Sequence, residues 1–259
     1  MKSFIKSVKV FVAVVVIATF GFYIWTSDKY TVPILMYHSV NVTQGAEGIT
    51  VDPQSFANQM KFLKINGYNV ISLDRLVSAI KRDEKLPRNS VVITFDDGNA
   101  DNYEHAFPSL KENGFPAIIF VIANTVGHKG YVTWAQLKEM EKYGVIAGSH
   151  TLDHTYLPGA PTDVQYHQIA ESKRIIEKNL GHPIGYIAYP SGGFTEDVKL
   201  MAEQAGYKGA CTTNRGYSQF NKDIFEIKRI RLKSNEPDFE IWAKVSGYYN
   251  LFKSPRDPG

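Results

Sequence analysis

Short apolar runs alternate with amphipathic segments along most of this chain. The apolar runs are rich in β-branched and aromatic residues, which predicts buried strands. Between them, apolar positions recur at helical spacing, as at Phe56, Met60 and Leu63. Strands that alternate with helices in this way predict a parallel sheet with right-handed crossover connections.

The pattern predicts eight strands, at residues 32–37, 69–73, 91–95, 117–122, 145–148, 184–189, 207–211 and 225–232. It predicts helices at residues 53–63, 73–80, 102–112, 134–143, 163–180, 195–205 and 238–246. Seven or eight strand–helix repeats favour an α/β fold of the distorted (β/α) barrel type. A doubly wound open sheet is the alternative, but no glycine-rich phosphate loop follows the first strand, so a nucleotide site has no support.

The amino-terminal segment has a different pattern, because residues 10–27 contain no charged side chain. As a helix this run would be about 27 Å long, close to the hydrocarbon thickness of a bilayer. Three lysines precede the run, at Lys2, Lys6 and Lys9. Tyr23 and Trp25 lie near its other end, where interfacial aromatic residues are common.

This pattern predicts a cytoplasmic tail at residues 1–9, a single transmembrane helix at 10–27 and an extracellular domain at 28–259. The protein would then be an anchored protein of the cell membrane. A cleaved signal peptide, which would give a secreted protein, is the alternative. The bulky residues at the end of the run offer no small-x-small cleavage site, which favours the anchor.

Composition narrows the function classes. The chain has 29 Lys and Arg residues against 26 Asp and Glu residues, and the three amino-terminal lysines account for the difference. A neutral domain gives no electrostatic case for a nucleic-acid partner. Cys211 is the only cysteine, which excludes an intramolecular disulfide and a cysteine-rich metal site.

Two carboxylates, Asp96 and Asp97, stand side by side at the end of the predicted strand 91–95. Adjacent carboxylates repel each other and are hard to desolvate. Successive side chains of a strand point to opposite faces, and Gly98 permits a sharp turn. One aspartate can therefore bind a metal while the other stays free as a base. An ordinary Asp-Gly turn is the alternative.

Two histidines, His150 and His154, follow the predicted strand 145–148. On a helical turn this spacing places both imidazoles on one face, as in many zinc sites. Two histidines and one carboxylate form a known ligand set that accepts zinc, cobalt, nickel or iron and leaves a position for water. Two partly exposed histidines on a surface turn are the alternative, but the Asp pair at another strand end favours a metal site.

These two motifs together carry a family resemblance. Residues 94–98 and 149–154 resemble the first two motifs of the polysaccharide deacetylases, the metal-dependent carbohydrate esterases of family 4 that include the nodulation-factor deacetylase. The resemblance covers residues 32–245 approximately. It implies that Asp96 is the catalytic base and that Asp97, His150 and His154 bind a divalent metal. Zinc is the metal that we expect first. The resemblance also implies that the substrate is an N-acetylated polysaccharide.

A third segment, residues 189–193, resembles the next motif of that family, with Pro190 and Gly192 in matching positions. The resemblance implies that the Ser191 backbone N–H faces the developing oxyanion, whereas an ordinary turn is the alternative. The sequence departs from the family at Ala188, where an arginine usually orients the base. Arg229 and Arg231 alternate on a late strand and either could replace it, although both could also lie on a solvated face.

The family's late Leu-x-His motif, which supplies the catalytic acid, is also missing, because Lys233 and Ser234 follow Leu232. His38 ends the predicted strand 32–37, and the first and last strands of a closed barrel are neighbours. His38 is therefore the predicted acid, unless it is only a locally bonded strand-end histidine. This arrangement resembles the poly-N-acetylglucosamine deacetylases. A non-catalytic glycan-binding module on the same scaffold is the second class of function.

Overall fold

The computed structural model describes residues 2–27, 30–42, 49–214 and 223–251. Its strands are β1 (Ile34–Tyr37), β2 (Ser39–Val40), β3 (Thr50–Val51), β4 (Asn69–Val70), β5 (Ser90–Phe95), β6 (Ala117–Val121), β7 (Val145–Ser149), β8 (Tyr186–Ala188), β9 (Gly209–Thr212), β10 (Ile227–Lys228) and β11 (Ile230–Arg231). Its α-helices are α1 (Lys2–Ser27), α2 (Pro53–Ile65), α3 (Leu73–Lys81), α4 (Phe107–Asn113), α5 (Trp134–Glu141), α6 (Thr162–Leu180), α7 (Glu196–Gln204) and α8 (Asp238–Val245).

The main sheet curls into a nearly closed barrel of parallel strands. Its order is β10-β9-β8-β7-β6-β5-β1-β11, and β4 adds to the edge of β5. The strands β10 and β11 are two halves of one segment on either side of Arg229, and they pair with β9 and β1 respectively. This segment therefore joins the two ends of the sheet. The predicted barrel class is confirmed, and the first and last strands are neighbours as expected.

The alternation of side chains along β5 sorts its residues between two apolar clusters. Val91, Ile93 and Phe95 belong to the larger cluster, which the outer helices cover. Val92 belongs to a second cluster with Ile118 and other strand residues and with one face of α3. Since side chains alternate along a strand, Thr94 and then Asp96 point to the same side as Val92, toward the barrel interior.

Most predicted elements are present, with shifted ends. Strand β4 is shorter than predicted because Ser72 caps α3, accepting a hydrogen bond from the Arg75 N–H at 3.1 Å. The helix predicted at 102–112 is divided into a π-helical turn, Asn102–Ala106, and α4. Pro108 lacks the N–H that a continuous α-helix would use at this point, which accounts for the division.

The amino-terminal run folds as a single helix, α1. Among residues 2–27, 30–42, 49–214 and 223–251, no helix combines the length and the apolar character needed to cross a membrane. The transmembrane anchor predicted at residues 10–27 therefore has no support from the structure.

Candidate metal centre

The chemically suggestive side chains meet at one end of the barrel. Parallel strands all point the same way, so residues that follow their carboxyl ends share one rim. His38 follows β1, Asp96 follows β5 and His150 follows β7. Each of these residues is more than 50 positions from the next along the sequence (38, 96 and 150), and the pairing of the strands brings them together.

Three ligand-type side chains converge on this rim. Asp97 Oδ1 lies 3.5 Å from His150 Nε2 and 3.7 Å from His154 Nε2. The three ligand atoms all lie within 4.8 Å of one another. Ligands about 2.1 Å from a tetrahedral metal are separated by about 3.4 Å, so this spacing suits one small divalent ion.

The turn after β5 separates the two aspartates. Asp97 adopts a left-handed backbone conformation with φ 71°, and Gly98 follows with φ 74°. A side chain at Gly98 would lie only 2.9 Å from Val121 Cγ1, so the turn needs glycine for space as well as for conformation. Asp96 keeps its place in the sheet, because its N–H donates to the Tyr37 carbonyl at 2.9 Å. Asp97 is thereby turned toward the histidines.

The backbone of β8 fixes the ring of His150. The Nδ1 atom lies 2.7 Å from the Ala188 carbonyl oxygen, so Nδ1 carries the proton and donates it there. That tautomer leaves the Nε2 lone pair facing Asp97 and His154. Burial lowers the pKa of His150, although the charges of Asp96 and Asp97 oppose the shift. A neutral imidazole with a free Nε2 is the form that binds a metal.

The segment from His150 to His154 is not helical, contrary to the expectation from its spacing. Thr151 and His154 have left-handed conformations, with φ 66° and 60°. A β-branched residue rarely adopts this conformation, so local preference opposes the turn and tertiary contacts hold it. The two rings still meet, edge to face, with centroids 4.8 Å apart.

Electrostatics also suit a cation at this position. Burial raises the pKa of Asp97, the histidines oppose the shift, and the negative charge of Asp96 adds to it. A divalent cation would compensate the desolvation of the Asp97 carboxylate and its repulsion by Asp96. Asp97, His150 and His154 therefore fit a zinc-type site in donor set, spacing and charge.

Asp96 forms a separate, fully buried ion pair with Arg229. Its Oδ1 accepts from Arg229 Nη1 at 2.6 Å and its Oδ2 from Nη2 at 2.8 Å. Burial by itself would raise the pKa of Asp96, but Arg229, with His150 and His38, holds that pKa well below the ordinary value. Asp96 is therefore an ionised carboxylate in a fixed orientation.

Arg229 is held by the barrel wall. Its Nε donates to the Thr212 carbonyl at 3.1 Å, and Nη1 also donates to Thr94 Oγ1 at 3.2 Å. The guanidinium lies 5.5 Å from the centroid of the Phe120 ring. In the family pattern an arginine at the position of Ala188 would orient the base. Here Arg229 contacts that carboxylate, Asp96, instead. Arg231, the other candidate, lies in β11 and contributes a positive charge near His38.

His38 lies beside the same carboxylate. Its Nε2 is 3.9 Å from Asp96 Oδ2, and its Nδ1 is buried without a hydrogen-bond partner among the described residues. Burial lowers the pKa of His38, and the charge of Asp96 opposes that shift. The imidazole is accordingly neutral near pH 7.

The turn after β8 contains Ser191, which is exposed and has φ 55°. The N–H groups of Gly192 and Gly193 donate to the Tyr189 and Pro190 carbonyls within this turn. The Ser191 N–H is not among the amides that bond inside it. Thr213, directly after β9, supports the turn, because its Oγ1 donates to the Ser191 carbonyl at 2.9 Å.

Sequence reasoning missed two residues that hold the His38 segment. Asp101 Oδ1 accepts from the Val40 N–H at 3.0 Å, and its Oδ2 accepts from Ser39 Oγ at 2.6 Å. Asn102 Nδ2 donates to the His38 carbonyl at 2.7 Å. Asn102 begins the helix predicted at 102–112 and Asp101 directly precedes it, and this place gave no sign of the function. Their only signal was proximity to the Asp-Asp-Gly turn.

Comparison with known proteins places this geometry in a family. A family model described as polysaccharide deacetylase matches residues 83–210. The Bacillus subtilis protein YxkH, which is assigned to the polysaccharide deacetylases, is 34% identical over 210 residues, covering 81% of this chain and 74% of YxkH. A poly-beta-1,6-N-acetyl-D-glucosamine N-deacetylase of Staphylococcus aureus is 28% identical over 200 residues, covering 72% of this chain and 69% of that protein.

The fold agrees with a solved structure of the same kind. The Streptococcus pyogenes deacetylase PplD, solved in complex with acetate, aligns with a TM-score of 0.78 and 30% identity. The alignment covers 83% of this chain and 98% of PplD. The barrel, the rim of strand-end residues and the extent of these matches agree, and the chain belongs to the polysaccharide deacetylase family.

Proposed function

We propose that this protein is a metal-dependent N-deacetylase that removes acetyl groups from N-acetylglucosamine units of an extracellular polysaccharide or cell-wall glycan. The observation that carries the proposal is the position of the Asp96–Arg229 pair beside Asp97, His150 and His154. An ionised, oriented base next to a cation site is what hydrolysis of an amide requires.

Each residue has a distinct task in this reaction. A divalent metal held by Asp97, His150 and His154 would supply Lewis acidity and acidify a water molecule. Asp96, kept ionised by Arg229, accepts the proton of the attacking water. The Ser191 N–H donates to the oxyanion that develops on the acetyl oxygen. His38, in its protonated form, delivers a proton to the departing amine, because an amine leaves far more readily than an amide anion.

Two relatives support the substrate class. The similar S. aureus protein is named as a deacetylase of poly-beta-1,6-N-acetyl-D-glucosamine. The structure of PplD contains acetate, the acid that deacetylation releases. The first supports an N-acetylated glucosamine polymer as the substrate here, and the second supports acetate as the released product.

Acetate release tests the proposal directly. Purified protein, stripped of metal with a chelator and reloaded with zinc or cobalt, is incubated with poly-β-1,6-N-acetylglucosamine, chitin oligomers and peptidoglycan fragments. We expect acetate only after reloading, and from some glycans more than others. Binding of these glycans without acetate release under any metal would instead support the non-catalytic glycan-binding alternative.

The extracellular location predicted from the amino-terminal lysines and apolar run stays a proposal. A glycan substrate outside the cell is consistent with it. Protease added to intact cells should digest the domain if it faces outward, whereas protection until lysis would contradict this location.

A further inference from the structure

The turn that carries the two histidine ligands is held from one side by helix α6. Gln168 of α6 is buried, and its Oε1 accepts two successive backbone N–H groups of the turn, from Leu152 at 3.1 Å and from Asp153 at 2.9 Å. Its Nε2 donates to Asp153 Oδ2 at 3.0 Å. One side chain therefore fixes the backbone midway between His150 and His154.

Other contacts brace the same turn at its edges. The Thr151 N–H donates to Ser149 Oγ at 3.1 Å, and Ser149 Oγ lies 2.8 Å from Ser172 Oγ, one turn further along α6. On the opposite side, the Asn124 N–H donates to the Leu152 carbonyl at 3.1 Å. None of these contacts accepts a hydrogen bond from the Leu152 and Asp153 amides in the middle of the turn. Gln168 is the acceptor for both.

The two histidines depend on the turn to different degrees. His150 is oriented through its own ring, by the Ala188 carbonyl. Among the described residues no comparable acceptor orients the ring of His154, which is 39% exposed and contacts His150 and Asp97. The position of His154 Nε2 is therefore set mainly by the backbone, which has a disfavoured left-handed conformation at both Thr151 and His154.

We propose that Gln168 is a positioning residue that sets the metal affinity of the site by holding the His150–His154 turn in its ligating conformation. The inference rests on the proposed metal-dependent function. Without Gln168 the buried Leu152 amide and the partly buried Asp153 amide lose their acceptor, and the turn can relax toward ordinary backbone angles. Relaxation moves His154 away from Asp97, so part of the binding free energy is spent on restoring the turn.

The chain offers a matched control on the same helix. Gln165 is also buried, and its Nε2 donates to the Leu157 carbonyl at 2.8 Å and the Ala160 carbonyl at 3.0 Å. It holds the loop that follows the metal turn and contacts neither of its central amides. Replacing either glutamine with methionine keeps the side-chain length and removes two hydrogen bonds to backbone groups.

The experiment measures zinc and cobalt dissociation constants of the metal-stripped full-length protein by competition with a chromophoric chelator. We expect Gln168→Met to weaken metal binding by at least about tenfold, as is usual when groups behind metal ligands are removed. Gln165→Met should bind metal as the wild type does. The cobalt absorption spectrum should change in Gln168→Met only. Equal losses in both variants, or no loss in Gln168→Met, would overturn the proposal.

A second variant separates the hydrogen bonds from general packing. Gln168→Glu combined with Asp153→Asn keeps an oxygen for both amides and avoids two facing carboxylates. This double variant should bind metal more tightly than Gln168→Met, and equal affinity of the two would count against the proposal. If Gln168→Met does not fold, amide hydrogen exchange is measured in the metal-stripped wild type instead. The Leu152 and Asp153 amides should be protected from exchange, and unprotected exchange at these amides would overturn the proposal. A wild type that binds no metal would instead refute the proposed function itself.

Discussion

Arg229 binds both carboxylate oxygens of Asp96 across 133 positions of sequence. The contact depends on closure of the barrel, because Arg229 lies between the two short strands that join the ends of the sheet. Both residues are buried, so water screens the pair little and the geometry is restricted to one orientation. The fold itself therefore orients the proposed catalytic base.

Replacing Arg229 with lysine should reduce turnover at least about tenfold while the metal affinity stays nearly unchanged. An ammonium group keeps the charge but contacts only one oxygen, so Asp96 loses its fixed orientation. The pKa of Asp96, now held low by Arg229, should rise. The acid limb of kcat/KM, which falls as the base is protonated, should then move to higher pH.

Arg231→Lys is the control for this prediction, because it makes the same exchange two residues along the chain. It should leave turnover and the acid limb nearly as in the wild type. Equal effects in the two variants would show that net positive charge, and not the paired contact with Asp96, is what the reaction needs.

The adjacent aspartates should respond to the same substitution in opposite ways. Asp97→Asn should weaken zinc affinity strongly, because it replaces a charged ligand. Asp96→Asn should retain bound zinc and lose about 10²–10⁴-fold in turnover, the usual contribution of a general base. Zinc content by elemental analysis and acetate release from one glycan measure the two effects. Metal loss in Asp96→Asn, at an unchanged melting temperature, would refute the division of tasks.

The pattern of apolar strands along the sequence predicted which residues lie on the rim of the barrel, because the alternation of side chains along a strand is a local property. The apolar run before Asp96 determines its inward direction, and the apolar strand before His150 does the same for that residue. The choice between Arg229 and Arg231 was not accessible, because it depends on how β10 and β11 pair with different neighbours. That pairing is a long-range property.

The turn from His150 to His154 shows the limit of spacing arguments. A spacing of four residues suits a helix, and Thr151 gives no local signal for a left-handed conformation. Gln168 lies on helix α6 and Asn124 lies on the loop after β6. Their contacts with the turn override the local backbone preference of Thr151. The three side chains that meet here, Asp97, His150 and His154, were predictable as candidate ligands from residue types, but the backbone that holds them was not.

The Ser191 turn should tolerate loss of its hydroxyl group. The proposed oxyanion donor is the backbone N–H, so Ser191→Ala and Ser191→Gly should keep turnover within about threefold of the wild type. Glycine suits φ 55° better than serine does, so Ser191→Gly should also not reduce the melting temperature by more than a small amount. A large loss of kcat in Ser191→Ala, with KM unchanged, would assign the donor to the side chain instead.

His38→Ala should bind metal with wild-type affinity and lose turnover, because the departing amine then lacks its proton donor. Burial lowers the pKa of His38, so the protonated form disappears as pH rises through a range below the ordinary imidazole pKa of about 6.5. The wild-type alkaline limb of kcat should begin in that range if His38 is the acid, and His38→Ala should flatten it. Substrates with an activated leaving group need no acid. Acetate release from an aryl acetate should therefore be nearly equal in the wild type and in His38→Ala. Turnover of the glycan within twofold of the wild type would show that the proton comes from another group.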